Sequence, residues 1–121
     1  MAGLGSRQVH EALADLASRA EPPAAGVASA LTCAAAAALV ELTAGLAAER
    51  VAAGELRAPA STPARLRALA GRAGELRERV LVAADEDVHA YAEVAKTPKG
   101  ADSARALAEA SEPPLEIAEC A

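Results

Sequence analysis

Between Glu21 and Glu41 the chain reads PPAAGVASALTCAAAAALV, without one charged side chain. A bilayer takes about 20 apolar residues to cross, so this run approaches the length of a span. Its strong apolar residues are only Leu31, Leu39, Val27 and Val40; the rest is mainly alanine, which gains little from lipid. Acids bracket the run, and neither a basic flank nor an aromatic belt accompanies it. The expectation is a buried helix of a soluble bundle, with no membrane partner.

A core built from Ala, Leu and Val lets helices approach closely but buries little area per side chain. Tyr91 is the one aromatic residue of the 121 and the net charge is −5. Base-stacking platforms and cationic surfaces are therefore missing, which excludes a general nucleic-acid or anionic-membrane binder. A chain of this size with so lean a core is expected to associate with a second copy. Cys33 and Cys120 form no CxxC, and His10 and His89 are not at metal-ligand spacing, so no metal site is expected. Charges at Arg7, Glu11, Asp15 and Arg19 do not suit a signal peptide, and the expected setting is a reduced cytoplasm.

Along the chain, Val9, Leu13, Leu16 and Ala20 share one face of a first helix, with Ser6 at its start and Pro22–Pro23 after it. The alanine-rich helix is expected from about Ala24–Val27 to Ala53, more deeply buried in its first half, with Gly54 as its stop. Thr62 as N-cap and Pro63 at the first turn announce a long amphipathic helix. Its seam is Leu66, Leu69, Ala73, Leu76, Val80, Ala83, Asp87, Ala90 and Val94, three and four residues apart. Asp87 is the one acid in that seam, next to a second stripe of Leu81, Ala84, Val88 and Tyr91. A turn at Pro98–Gly100, a short helix capped by Asp102 or Ser103, and a last helix opened by Pro113–Pro114 complete the chain. No strand-like alternation occurs. The expected fold class is all-α, an elongated helical bundle with a buried Ala-rich helix and one long amphipathic helix.

Several segments together resemble the cyclodeaminase/cyclohydrolase domain of formiminotransferase-cyclodeaminase and the related methenyltetrahydrofolate cyclohydrolases. PAAGVASALTCAAAAALVELTAGL from Pro23 is similar to the Ala-rich helix that a Pro-Gly-Gly-Gly-Ser run opens in that family. DEDVHAY, Asp85 to Tyr91, resembles its Asp-Glu-Asp-Ala-x-Ala-Phe/Tyr signature, and Pro98-Lys99 its following Pro-Lys. SARALAEASEPPLEIAECA resembles the Ala-rich segment ending in Pro-Leu. Two features depart from the pattern. Ala24, Ala25, Gly26 and Val27 replace the glycine run and its serine, and nothing matches the later Gly-Asn and Ser-Asp-Ala segments. The expectation is one domain, residues 1–121, shortened at its C-terminal end relative to the family.

The resemblance implies folate one-carbon chemistry: ring closure of 5-formiminotetrahydrofolate with loss of ammonia, or interconversion of the 5,10-methenyl and 10-formyl forms. Each passes through a tetrahedral carbon between two nitrogens and needs a group that moves a proton. A carboxylate in an apolar seam suits that role, because desolvation works against its charged form. Asp87 is the candidate acid/base, with Asp85 second. Gly26, Lys99 and Tyr91 are the candidate substrate contacts: an open backbone at a helix start, a cation for the anionic glutamate tail, and a ring to stack on the pterin. The implied ligand is a tetrahydrofolate derivative as substrate, with no tightly bound cofactor, and the implied assembly is a homodimer. The alternative is a non-catalytic relative acting as a helical association module, favoured by AAGV where the glycine run would stand.

Overall fold

The computed structural model describes residues 7–18, 25–97 and 100–121. Among these, five helices form in the order α1 (Arg7–Ala17), α2 (Ala25–Ala52), α3 (Thr62–Lys96), α4 (Ala101–Ala110) and α5 (Glu112–Cys120), with no strand. The fold is all-α and elongated: α3 alone, at 35 residues, extends roughly 50 Å. The expected cap at Ser6, the Pro22–Pro23 break and Lys99 lie outside the described residues.

Two local signals set the hairpin of α2 and α3. Gly54, at φ 77°, adopts the left-handed conformation that other residues resist. Its N–H donates to the Val51 carbonyl at 3.1 Å and the Glu55 N–H to the Arg50 carbonyl at 2.9 Å, closing α2 in a Schellman motif. Thr62 is the first residue of α3 rather than its cap; Ser61 holds that position and Pro63 sits in the first turn. Proline is tolerated there because the first N–H groups of a helix have no intrahelical partner.

The two helices run antiparallel. Glu41 of α2 reaches Arg77 of α3 at 3.1 Å, between ends where Gly26 meets Asp87 and Ala44 shares a surface cleft with Leu66. Burial in α2 falls on Ala30, Ala34, Ala44 and Ala48. It does not concentrate in the first half as expected, because this alanine stripe follows α3 along its length. The seam of α3 faces it: Ala73, Val80 and Ala83 are buried, and Leu66, Leu76, Asp87, Ala90 and Val94 are half-buried; Leu69, expected in the seam, is exposed instead, because the alanines of α2 leave an open groove beside it.

α4 and α5 fold back along the second half of α3. The N–H of Gly100 donates to Ser103 Oγ at 3.1 Å, so Ser103 helps to start α4 from inside its first turn. Pro113 opens α5, which brings Ile117 and Cys120 onto Ala30, Ala34, Val80, Ala83 and Ala84 to form the core. Arg79 ties α3 to α5 through ion pairs with Glu116 and with Glu119, the latter at 3.7 Å. Near the α2–α3 loop the molecule is only two helices thick. Val9 and Leu13 of α1 are exposed as well.

Candidate functional site

The antiparallel hairpin brings two sequence-distant residues into contact: Gly26 in the first turn of α2 and Asp87 in the seam of α3. A Cβ placed on Gly26 would stand 3.1 Å from Asp87 Cγ and 3.7 Å from Oδ1, and would run into Oδ2. The carboxylate therefore occupies the space that a side chain at position 26 would need. Both residues are half-buried. α2 has no acid of its own in its first turn. The unpaired N–H groups and the positive end of the helix dipole lie there, so Asp87 supplies from another helix the negative charge that this end favours.

The rest of DEDVHAY spreads around α3. Asp85 and Glu86 are exposed; Asp85 is two residues from Asp87 and so points away from it. Glu86 lines a separate cleft of about 620 Å³ with Glu78, Arg79, Glu109, Glu112 and Glu116. Tyr91 lies one turn beyond Asp87 and is 41% exposed. The hairpin thus unites Gly26 and Asp87, places Tyr91 a turn away, and sets Asp85 apart.

A feature not anticipated from the sequence is a groove of about 720 Å³ between α2, α3 and the end of α5. Thr32, Cys33, Arg72, Leu76 and Cys120 are among its walls. It begins at Ala28, two residues beyond Gly26, and Asp87 does not line it. Thr32 Oγ1 donates to the Ala28 carbonyl at 2.9 Å, which leaves the groove floor mainly apolar. Burial pushes the Cys120 thiol above its ordinary value; Arg79 opposes this, and the charges of Glu116, Cys33 and Glu119 add to it. Among the described residues no group of three His, Cys, Asp or Glu side chains is arranged to hold a metal ion.

The outer face of α2 carries Leu31, Leu39, Leu42 and Leu46, between 38 and 64% exposed. With Ala35 they recur every three or four residues along an exposed face of α2, and Leu39 at its edge borders a cleft shared with Leu66 and Leu69 of α3. The stretch Gly26–Ala52 is long and apolar enough to cross a membrane by length and composition.

The described residues form an all-α bundle in which an acid of α3 meets the start of α2. The formiminotransferase-cyclodeaminase family model matches residues 8–121, and the chain belongs to that family. No curated protein and no solved structure matches it.

Proposed function

We propose that the chain acts in folate one-carbon chemistry, as a cyclodeaminase or a methenyltetrahydrofolate cyclohydrolase, with Asp87 as the proton-transferring group. The observation that carries this reading is the contact of Gly26 with Asp87. It joins the remnant of the family's glycine turn to the central acid of DEDVHAY.

In the deaminase reaction, N10 of the folate attacks the formimino carbon, and the departing nitrogen must be protonated to leave as ammonia. In the hydrolase reaction, water adds to the methenyl carbon and loses a proton before the ring opens. One carboxylate beside the tetrahedral carbon serves either direction. Gly26 lets the Asp87 carboxylate close on the start of α2, so the space expected for a substrate contact there is taken by the acid itself; Tyr91 offers a ring face one turn away, and Lys99 follows α3 as a cation for the glutamate tail. Asp85 is the weaker candidate because it is exposed on another side of α3. The protein is a cytoplasmic homodimer in this reading, its substrate a tetrahydrofolate derivative.

The second reading is a non-catalytic association module. The outward leucines of α2 favour it, as do Ala24 and Ala25 in place of glycines.

The deciding assay incubates purified protein with 5,10-methenyltetrahydrofolate, and separately with 5-formiminotetrahydrofolate, and follows methenyl absorbance against the spontaneous rate. Asp87→Asn is run in parallel, with circular dichroism to check folding. Catalysis that disappears in a folded Asp87→Asn variant supports the enzyme. No rate above background with either substrate leaves the association module.

A further inference from the structure

Cys33 and Cys120 come from distant parts of the sequence and meet at one groove. Cys33 is half-buried on α2, and Cys120 is the last residue of α5 and buried; both are free thiols. Cys120 belongs to the core that includes Ala30, Ala34 and Val80, and Cys33 packs against that core. Cys33 stands one turn from Ala30 and beside Ala34, on the edge of the α2 face that α5 covers. Both cysteines line the same groove of about 720 Å³.

We propose that Cys33 and Cys120 are a reactive thiol pair that closes to an intrachain disulfide, covalently tying α2 to the end of α5. The groove gives a small molecule access to Cys33, and Cys120 lies behind it in the core. The co-reactant is a small-molecule disulfide. The Cys33 thiolate attacks one of its sulfurs, its S–S bond breaks, and one thiolate leaves. Cys120 then gives up its proton and attacks Cys33 Sγ, expelling the second thiolate. Two protein thiols are oxidised to one disulfide, and the small-molecule disulfide is reduced to two thiols.

The surroundings of Cys120 set the pace of the second step. Burial raises its thiol, Glu116 and Glu119 of α5 and Cys33 of α2 act in the same direction, and Arg79 of α3 acts against them. Closure is therefore slow at neutral pH and accelerates as pH rises, because the attacking species is the thiolate. The inference does not rest on the folate reading.

The test incubates the reduced protein with oxidised glutathione at several pH values and reads intact mass and peptide maps under non-reducing conditions. The expected product is a single chain lighter by two hydrogens, with a Cys33–Cys120 peptide, forming faster at higher pH. Cys120→Ser is expected to stop at a glutathione adduct on Cys33; Cys120→Ala gives the same readout should the serine disturb folding. A stable glutathione adduct on the wild type, a disulfide joining two chains, or no reaction overturns the proposal, and the wild-type result alone decides it.

Discussion

The Asp87 carboxylate fills the place where a side chain on Gly26 would stand, so the start of α2 and the middle of α3 constrain each other. The acid sits where α2 has none of its own in its first turn. One contact therefore serves packing, because the acid fills the space beside a glycine, and electrostatics, because the helix start gains a counter-charge.

Replacing Gly26 by alanine separates those two effects. Alanine in a helix is favoured over glycine by up to about 1 kcal/mol. The clashing atoms belong to the tip of a flexible side chain, which can swing aside, at a loss of about 0.3–1 kcal/mol of charge–dipole interaction. The terms nearly cancel, so Gly26→Ala is expected to leave the melting temperature almost unchanged. If Asp87 carries turnover, the same variant is expected to lose activity as Asp87→Asn does. Unimpaired turnover with normal stability would show that the position of Asp87 does not matter.

Much of this architecture was legible in the chain. The three-four spacing from Leu66 to Val94 located α3 and its buried side, Gly54 marked the end of α2, and the Pro113–Pro114 pair marked the opening of α5. Those signals are local: a period, a positive φ, a missing N–H. The side of α2 that meets α3 was not legible, because apolar residues surround that helix and leave no polar face to orient it. Alanines turned inward and leucines outward, the reverse of a simple hydrophobicity ranking, since close approach to α3 admits only small side chains. Asp87 stood out as an acid in an apolar seam, yet its partner Gly26 is separated from it by most of the hairpin. The groove joining Cys33 to Cys120 likewise exists only after α5 has folded back.

Among the described residues Val80 is the one large side chain with no solvent exposure, at 0%. Val80→Ala removes two carbons, worth about 0.8 kcal/mol each in transfer, and leaves a cavity, for a total of about 2 kcal/mol. In so lean a core that is a large share of the stability. Urea unfolding is expected to show a clearly lower midpoint with an unchanged slope. A midpoint equal to wild type would mean that α2, α3 and α5 do not pack around this side chain.

The leucine stripe on the outer face of α2 predicts self-association. Leu31, Leu39, Leu42 and Leu46 form a continuous apolar seam, and a second copy offers the same seam in return. Sedimentation at micromolar concentration is expected to give a dimer, and Leu42→Glu to stay folded with a dimer dissociation constant at least tenfold higher, a cost of about 1.4 kcal/mol or more. A wild-type monomer under these conditions would remove the dimer. Partition into lipid vesicles, abolished by the same substitution, would assign the seam to a membrane surface.

Cys120 gives stability a pH dependence whose sign is fixed by its burial. Burial raises the thiol above its ordinary value of 9.0, and Arg79 only partly offsets this. The folded chain then holds the thiol proton more tightly than the unfolded chain. Below the unfolded value both states are protonated and the contribution is fully present. As pH rises through the ordinary value toward the folded one, the unfolded state gives up its proton first and stability falls. Reduced wild-type protein is therefore expected to lose stability between pH 8 and pH 10, roughly the window around the ordinary thiol range. The measurement is the urea midpoint across that window for wild type and for Cys120→Ala. The variant is expected to start less stable, having lost core contacts with Ile117 and Val80, but to follow a flatter course. Parallel curves would mean that the thiol is not held in a dry core, and that α5 does not close over α2 and α3 at its end.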